Sequence, residues 1–197
     1  MNQTSKALSK QTSANGLKYL FNGLTIFSFL AVFLSIFTLS ANAQQTNYND
    51  KVQTLDTTLE NLYGVISGEK GEERDWQLFR FLFHADAKLI PSRKQEDGTY
   101  QASYMTAEEY VTSSGNYLVE NGFFEKEIHR TVNSFGNITQ VFSTYESYHS
   151  ETDEKPFARG INSIQLLNDG NRWWIINIYW TQETQENPIP KEYLPKG

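Results

Sequence analysis

The chain has 197 residues, a formal net charge of −6 and no cysteine. The lack of cysteine excludes disulfides, thiolate metal sites and a catalytic thiol. The acidic balance argues against a nucleic-acid partner, which needs a basic face to neutralise phosphates. With 39% apolar and 20% charged residues, the composition is that of a globular protein. No motif in the sequence indicates a metal or another cofactor.

The first 43 residues have the composition of a secretory signal peptide. Three lysines and no acidic residue give a basic start, and residues 24–39 form an uncharged apolar stretch. Ala41-Asn42-Ala43 supplies the small residues that a signal peptidase reads. We therefore expect cleavage after Ala43 and export to the periplasm or the medium of a bacterial cell. The alternative is an uncleaved anchor helix, the one case in which the protein would meet a membrane.

Three segments of the mature chain have the apolar spacing of helices, after a polar leader over residues 44–50. They cover residues 52–66, 76–83 and 107–120. Asp50 is the expected N-cap of the first helix and Gly68 its stop. Thr106 and Glu109 have the spacing of a capping box, which predicts the start of the third helix.

Most other segments are predicted to be strands, and they are joined by turn signals such as Asp97-Gly98 and Asp169-Gly170. They cover residues 87–93, 100–105, 124–135, 138–149, 158–167 and 172–182. Pro91 is expected to interrupt the first strand. Helices followed by a long meander predict an α+β domain over residues 51–183, before an irregular Pro-containing tail over residues 184–197. We expect three helices packed on a strongly curved, mostly antiparallel sheet that forms a cone-shaped barrel.

This order of elements resembles the nuclear transport factor 2-like superfamily, which includes ketosteroid isomerase, scytalone dehydratase and polyketide cyclases. Residues 75–89 are similar to its second helix and first strand, and residues 169–175 to its last pair of strands. Three further phrases, at residues 122–125, 141–147 and 159–166, resemble a subgroup of exported bacterial proteins without an assigned activity. The resemblance implies a cone fold with a pocket. It carries over no catalytic residue, because this fold supports many activities.

His129 is the candidate catalytic base. Strand alternation predicts that Glu127 and His129 share one face, and a carboxylate beside an imidazole can relay a proton near neutral pH. With Tyr145 assisting from a neighbouring strand, this pattern predicts an isomerase or a dehydratase. The alternative is a solvent-exposed surface pair, which the apolar residues on the opposite face of the strand favour.

The abundant aromatic residues support a second hypothesis. The chain contains 4 Trp, 11 Tyr and 13 Phe, and aromatic walls with few polar groups are typical of a small-molecule pocket as well as of a core. The residues expected to line the pocket are Tyr63, Trp76, Phe79, Phe83, Asn177 and Trp180. On this hypothesis the protein binds a small apolar or amphipathic molecule between sheet and helices.

Two further features bear on ligands and partners. Glu146 and Arg159, on strands expected to be neighbours, are a candidate ion pair that either holds a ligand carboxylate or bridges the strands. The last strand is apolar on both faces, which predicts that the outer face of the sheet contacts a second copy of the chain in a homodimer. Three functions thus stay open: a small-molecule binder, an isomerase or dehydratase, and a homodimeric interaction module.

Overall fold

Residues 46–196 are described by a computed structural model, and they contain three α-helices and one six-stranded sheet. The helices are α1 (Leu55–Ile66), α2 (Trp76–Leu82) and α3 (Ala107–Asn121). The strands are β1 (Phe83–Lys94), β2 (Tyr100–Ala102), β3 (Phe124–Phe135), β4 (Ile138–Tyr148), β5 (Ala158–Asn168) and β6 (Trp173–Gln182). None of the helices described is long and apolar enough to cross a membrane. The predicted signal segment, residues 1–43, lies outside the described residues.

The sheet has the strand order β2-β1-β6-β5-β4-β3. β1 runs parallel to β6, and the other neighbouring strands are antiparallel. The predicted α+β class and the curved, mostly antiparallel sheet are confirmed. The sheet stays open between its edge strands β2 and β3, so the cone is not a closed barrel.

One face of the sheet, called the inner face here, carries the core. Val141, Ile164 and Ile178 lie side by side on β4, β5 and β6, and each is at most 6% exposed. The helices cover this row with apolar side chains that include Leu59, Leu62, Phe79 and Leu82. Burial of such side chains is the main stabilising contribution, at about 1.5–3 kcal/mol each. The opposite side of the sheet is called the outer face.

The helix caps confirm one local prediction and correct another. At α3 the Thr106 hydroxyl accepts from the Glu109 amide at 3.1 Å, and the Glu109 carboxylate accepts from the Thr106 amide at 2.7 Å. Asp50 does not cap α1, because residues 49–52 already form a short 3-10 helix. Thr54 is the cap instead: its backbone is extended and its hydroxyl accepts from the Thr57 amide at 3.0 Å.

β1 is longer than predicted at both ends. It starts at Phe83, directly after α2, and it continues through Pro91 to Lys94. Pro91 precedes the three residues that pair with β2, so its missing N–H lies where that pairing ends. Its carbonyl still accepts from the Ser103 amide at 3.1 Å.

A buried arginine ties the helices together beside the sheet. Arg74 is 6% exposed, and its guanidinium donates to the carbonyls of Ile66 at 3.1 Å, Gly68 at 2.6 Å and Leu118 at 3.2 Å. These carbonyls belong to the end of α1, the following loop and α3. Without Arg74 they would be left without this partner, which is costly for buried groups.

The C-terminal tail lacks regular structure apart from a 3-10 turn at Lys191–Tyr193, and it runs back over the outer face of the sheet. The Thr144 hydroxyl donates to the Tyr193 carbonyl at 2.6 Å, and the Tyr193 ring lies 5.0 Å from the ring of Phe142. Ile189 of the tail is 9% exposed. Part of the outer face is therefore covered by the chain itself.

Candidate functional site

A cavity of about 220 Å³ lies between the inner face of the sheet and helices α1 and α3. Most of its lining is aromatic or aliphatic. The polar lining residues, apart from the tyrosines, are Ser114, Glu125, Ser147, Asn162 and Gln182. An apolar cavity with a few convergent polar groups is typical of a ligand site.

Glu125 is the acidic group of this cavity. The Ser147 hydroxyl donates to one of its carboxyl oxygens at 3.3 Å, and the Asn162 amide donates to the other at 3.3 Å. Burial raises the pKa of Glu125 from 4.5 to about 7, because the low-dielectric surroundings disfavour the charged form. No lysine, arginine or histidine lines this cavity among the described residues.

A chain of hydrogen bonds connects Glu125 to a second carboxylate, Glu127. Asn162 also donates to the Tyr63 hydroxyl at 3.2 Å, and that hydroxyl lies 2.7 Å from the Ser143 hydroxyl. Ser143 donates its proton to Glu127 at 2.5 Å, so Tyr63 must donate to Ser143. Each hydroxyl has a single proton, and the partners in this chain decide which bond that proton makes. The Tyr63 hydroxyl is therefore held in one orientation in the cavity wall.

The two carboxylates differ in their charged partners. The Arg130 guanidinium lies 2.6 Å from a Glu127 oxygen and 2.9 Å from an Asp56 oxygen. Glu127 is therefore neutralised by an ion pair, whereas Glu125 is held by neutral donors. Glu125 is a half-buried carboxylate without a cation, and either a cationic group of a ligand or a proton can neutralise it.

Two tyrosine hydroxyls also line the cavity. Within residues 46–196, neither the Tyr110 nor the Tyr145 hydroxyl has a hydrogen-bond partner. Burial, with a smaller effect of the nearby Glu125 charge, raises the pKa of both phenols. Opposite Tyr145, Gly160 leaves room for its ring, because a Cβ there would lie 2.5 Å from the Tyr145 hydroxyl oxygen. Both hydroxyls can therefore bind a polar atom of a ligand.

Three of the six residues expected in the pocket line the cavity, and three do not. Tyr63, Phe79 and Trp180 line the cavity. Trp76 and Phe83 do not line it: Trp76 packs on α3 at Gly115, and Phe83 is 4% exposed in the core, with its ring 4.9 Å from that of Phe79. The assignment of these two residues to the lining is wrong because Trp76, on α2, faces α3 and Phe83, at the start of β1, points into the core.

Asn177 was also expected in the pocket, and this is wrong. It pairs with Gln165 of β5, one residue before the inner pair of Ile164 and Ile178. Alternation therefore places Asn177 on the outer face. On that face its amide lies beside the amide of Gln165, and both residues are half-buried.

The structure also corrects the pairing of Glu127 with His129. A β-bulge lies between them: Glu127 is opposite Tyr145, while His129 is opposite Thr144. The extra residue shifts the alternation, so the two side chains lie on opposite faces. Tyr145 and Glu127 stay at the inner face, and His129 lies on the outer face beside Thr144. The predicted Glu127–His129 relay is therefore not formed.

Glu146 and Arg159 are cross-strand neighbours, as expected for adjacent strands. The Arg159 guanidinium lies 3.8 Å from a Glu146 oxygen, but its shorter contact is with Glu183 at 2.7 Å. Glu183 also accepts from the Ile189 amide at 3.0 Å, so this cluster holds the tail on the outer face. Among the described residues, no group of three or more His, Asp or Glu side chains could hold a metal ion.

Sequence reasoning missed Glu125 as the central polar group. A usable signal was present in the sequence: Glu125 and Glu127 are at positions i and i+2 of a strand, so their side chains lie on the same face. The neighbouring Asn162 and Ser147 lie on β5 and β4, and only the register of the sheet brings them together.

These features define an α+β domain with a partly open cavity of about 220 Å³ between its curved sheet and its helices. Its fold is that of nuclear transport factor 2-like proteins. One such protein of unknown function, from Pseudomonas putida KT2440, is 10% identical with a TM-score of 0.51, over 72% of this chain and 94% of that one. A protein of unknown function with a cystatin-like fold, from Nostoc punctiforme PCC 73102, is 10% identical with a TM-score of 0.50, over 68% and 96%.

At such low identity the likeness establishes the fold and no activity. No protein-family model and no curated protein matches the chain.

Proposed function

We propose that this protein binds a small amphipathic molecule in the inner cavity. The observation that carries the proposal is the aromatic-lined cavity with Glu125 in its wall. Apolar surface would supply most of the affinity, and Glu125, Asn162 and the two unpaired tyrosine hydroxyls would orient the polar end of the ligand.

Blocking the cavity tests this proposal. Ser114 lines the cavity from α3, whereas the adjacent Ser113 does not. The protein is purified after expression of the full chain, and native mass spectrometry measures the bound small molecules. We expect bound molecules in the wild type, their loss in Ser114→Trp and their retention in Ser113→Trp. Equal occupancy in the two variants, or no bound molecule in the wild type together with no stabilising hit in a library of amphipathic compounds, would contradict binding in this cavity.

A second candidate function is proton transfer, with Glu125 as the base in place of His129. A pKa of about 7 is near the optimum for a general base at neutral pH. The carboxylate would accept a proton from a carbon next to a ligand carbonyl, and a tyrosine hydroxyl would donate a hydrogen bond to the developing enolate oxygen.

Proton exchange into solvent detects this reaction without knowledge of the substrate. Phenylacetone in D2O, followed by NMR, would gain deuterium next to its carbonyl faster with the wild type than with Glu125→Gln. Equal rates for both proteins would argue against Glu125 as a base.

Export is proposed from the first 43 residues of the sequence alone. The intact mass of the mature protein tests it. A chain that starts at Gln44 supports cleavage after Ala43, whereas a full-length chain in the membrane fraction supports the anchor.

The homodimer stays a proposal as well. The apolar outer face of β6 motivated it, and the tail already covers part of that face. Tyr179 is still 46% exposed and could contribute to an interface. Light scattering of the purified protein decides, since a monomer at all concentrations contradicts the proposal.

A further inference from the structure

The inner cavity has one uncompensated charge, and it is negative. Glu125 lines the cavity with aromatic and aliphatic neighbours and with no basic side chain among the described residues. An anionic ligand would be repelled, and a purely apolar ligand would leave the ionised carboxylate desolvated with only the neutral donors Ser147 and Asn162. We infer that the cavity selects an organic cation, an apolar molecule with a protonated amine that pairs with Glu125. This inference rests on the proposed binding function and names its ligand class.

The nearest arginine is already engaged. A second hollow, between α1 and β3, reaches the other side of Glu125, and Arg130 and Lys126 lie along it. Arg130 is held between Glu127 and Asp56 at 2.6 and 2.9 Å. Lys126 lies 5.2 Å from the centre of the Tyr148 ring. Neither residue hydrogen-bonds to Glu125, so its charge is left for a ligand.

The surroundings of Glu125 suit an ammonium group. In the inner cavity the titratable groups that face it are phenols: Tyr63 from α1, Tyr110 from α3 and Tyr145 from β4. The second hollow adds the charged groups Glu60, Lys126, Glu127 and Arg130. The oxygens of Tyr110 and Tyr145 have free lone pairs that can accept from an N–H group. Aromatic rings also attract cations, and the attraction is stronger when the site is desolvated. Because Glu127 and Asp56 share the Arg130 guanidinium, this face offers Glu125 no unpaired arginine.

Binding of an ammonium should depend on the ionisation of Glu125. The carboxyl group has a raised pKa because burial disfavours its charge, and a bound cation would lower it again. An amine binds the ionised form, so its affinity should rise with pH from 6 to 8. For a pKa near 7 the ionised fraction changes about tenfold over this range, while an alkylamine stays protonated.

Three probes of similar shape separate charge from apolar contact: 2-phenylethylamine, 2-phenylethanol and 3-phenylpropanoate. Calorimetric titration of the purified protein measures their dissociation constants at pH 6 and pH 8. At pH 8 we expect the amine to bind at least tenfold more tightly than the alcohol, and the alcohol more tightly than the acid. The affinity of the amine should fall about tenfold at pH 6.

Two variants locate the effect. Glu125→Gln should reduce the affinity of the amine to that of the alcohol and abolish its pH dependence. Glu146→Gln, which removes a carboxylate from the outer face, should leave all three affinities unchanged. If Glu125→Gln fails to fold, the wild-type ranking of the three probes decides alone.

The outcomes separate this inference from the proposed function. The inference is overturned if the alcohol or the acid binds as tightly as the amine, or if Glu125→Gln keeps the preference for the amine. Binding of the alcohol that Ser114→Trp removes would still support the cavity as a binding site. If none of the probes binds and Ser114→Trp changes no ligand occupancy, both proposals are overturned.

Discussion

The two faces of the sheet treat charged groups differently. On the outer face, Arg159 lies between Glu146 and Glu183 at 3.8 and 2.7 Å. On the inner face, Glu125 has only neutral donors. The charged groups of the outer face thus pair with one another and hold the tail, whereas Glu125 on the inner face has no charged partner.

The comparison identifies Glu125 as the carboxylate that differs from the charged groups of the outer face, since it has no cationic partner. A surface ion pair between adjacent strands contributes little and needs no ligand. A carboxyl group in an apolar cavity reduces stability when it is ionised, and carboxyl groups with such raised pKa values are more common at functional sites than elsewhere. Four predictions test this contrast, in order of decreasing effect.

The largest effect is expected from core burial on the inner face. Ile164 is fully buried, whereas Ile161, on the same strand, lies on the outer face and is half-buried under the tail. We expect Ile164→Ala to lower the free energy of unfolding by about 2–5 kcal/mol, and Ile161→Ala by clearly less. Urea denaturation measures both. Equal losses would mean that the tail makes the outer face a second core.

The features that sequence predicted well are local. The bounds of β3 at Phe124 and Phe135 match the prediction, and so does the capping box of α3. Both depend on residues close in sequence, such as alternating apolar positions and the pair Thr106 and Glu109. Strand alternation and helix capping involve residues that are close in sequence whatever the rest of the fold is. They can therefore be predicted without coordinates.

The parts that were not predicted depend on pairing between distant strands. The bulge at Ile128 exists only relative to β4, and it separates His129 from Glu127. A one-residue shift reverses every later side chain, so alternation alone assigns faces wrongly beyond a bulge. Glu125 gains its significance from Asn162, 37 residues away in the chain. No pattern in a single segment contains that contact.

The second prediction concerns pH and Glu125. Its pKa in the folded protein, about 7, is above the usual value of 4.5, so the folded state binds more protons between these values. The free energy of unfolding should therefore fall as pH rises from about 4.5 to 7 and change no further above that, by up to about 3 kcal/mol from this group. Urea denaturation measures the free energy of unfolding of the wild type and of Glu125→Gln at each pH. The difference between the two isolates the contribution of Glu125, because the contributions of the other titrating groups cancel. A difference that stays constant from pH 4.5 to 8 would show that Glu125 is well solvated.

The third prediction concerns the close approach at Gly160. A Cβ there would lie 2.5 Å from both the Thr181 carbonyl oxygen and the Tyr145 hydroxyl oxygen. Gly160→Ala should displace the Tyr145 ring and lower the free energy of unfolding by about 1–3 kcal/mol. Gly64→Ala is the control: nothing lies within 4 Å of a Cβ in this helical position, and we expect a gain of about 0.5–1 kcal/mol. Thermal unfolding compares the two variants. An unchanged stability of Gly160→Ala would show that the Tyr145 ring can move aside at no cost in free energy.

The smallest effect is expected from the ion pair on the outer face. Glu183→Gln removes the charge opposite Arg159, but the new amide oxygen can still accept from the Ile189 amide. Both partners are partly exposed, so we expect a loss of about 0.2–1 kcal/mol. Hydrogen exchange at the Ile189 amide should stay slow if that hydrogen bond holds the tail. Glu183→Ala removes the hydrogen bond as well and should accelerate exchange. If both variants release the tail equally, the charge of Glu183 is essential, and the ion pair with Arg159 rather than the hydrogen bond to Ile189 holds the tail on the outer face.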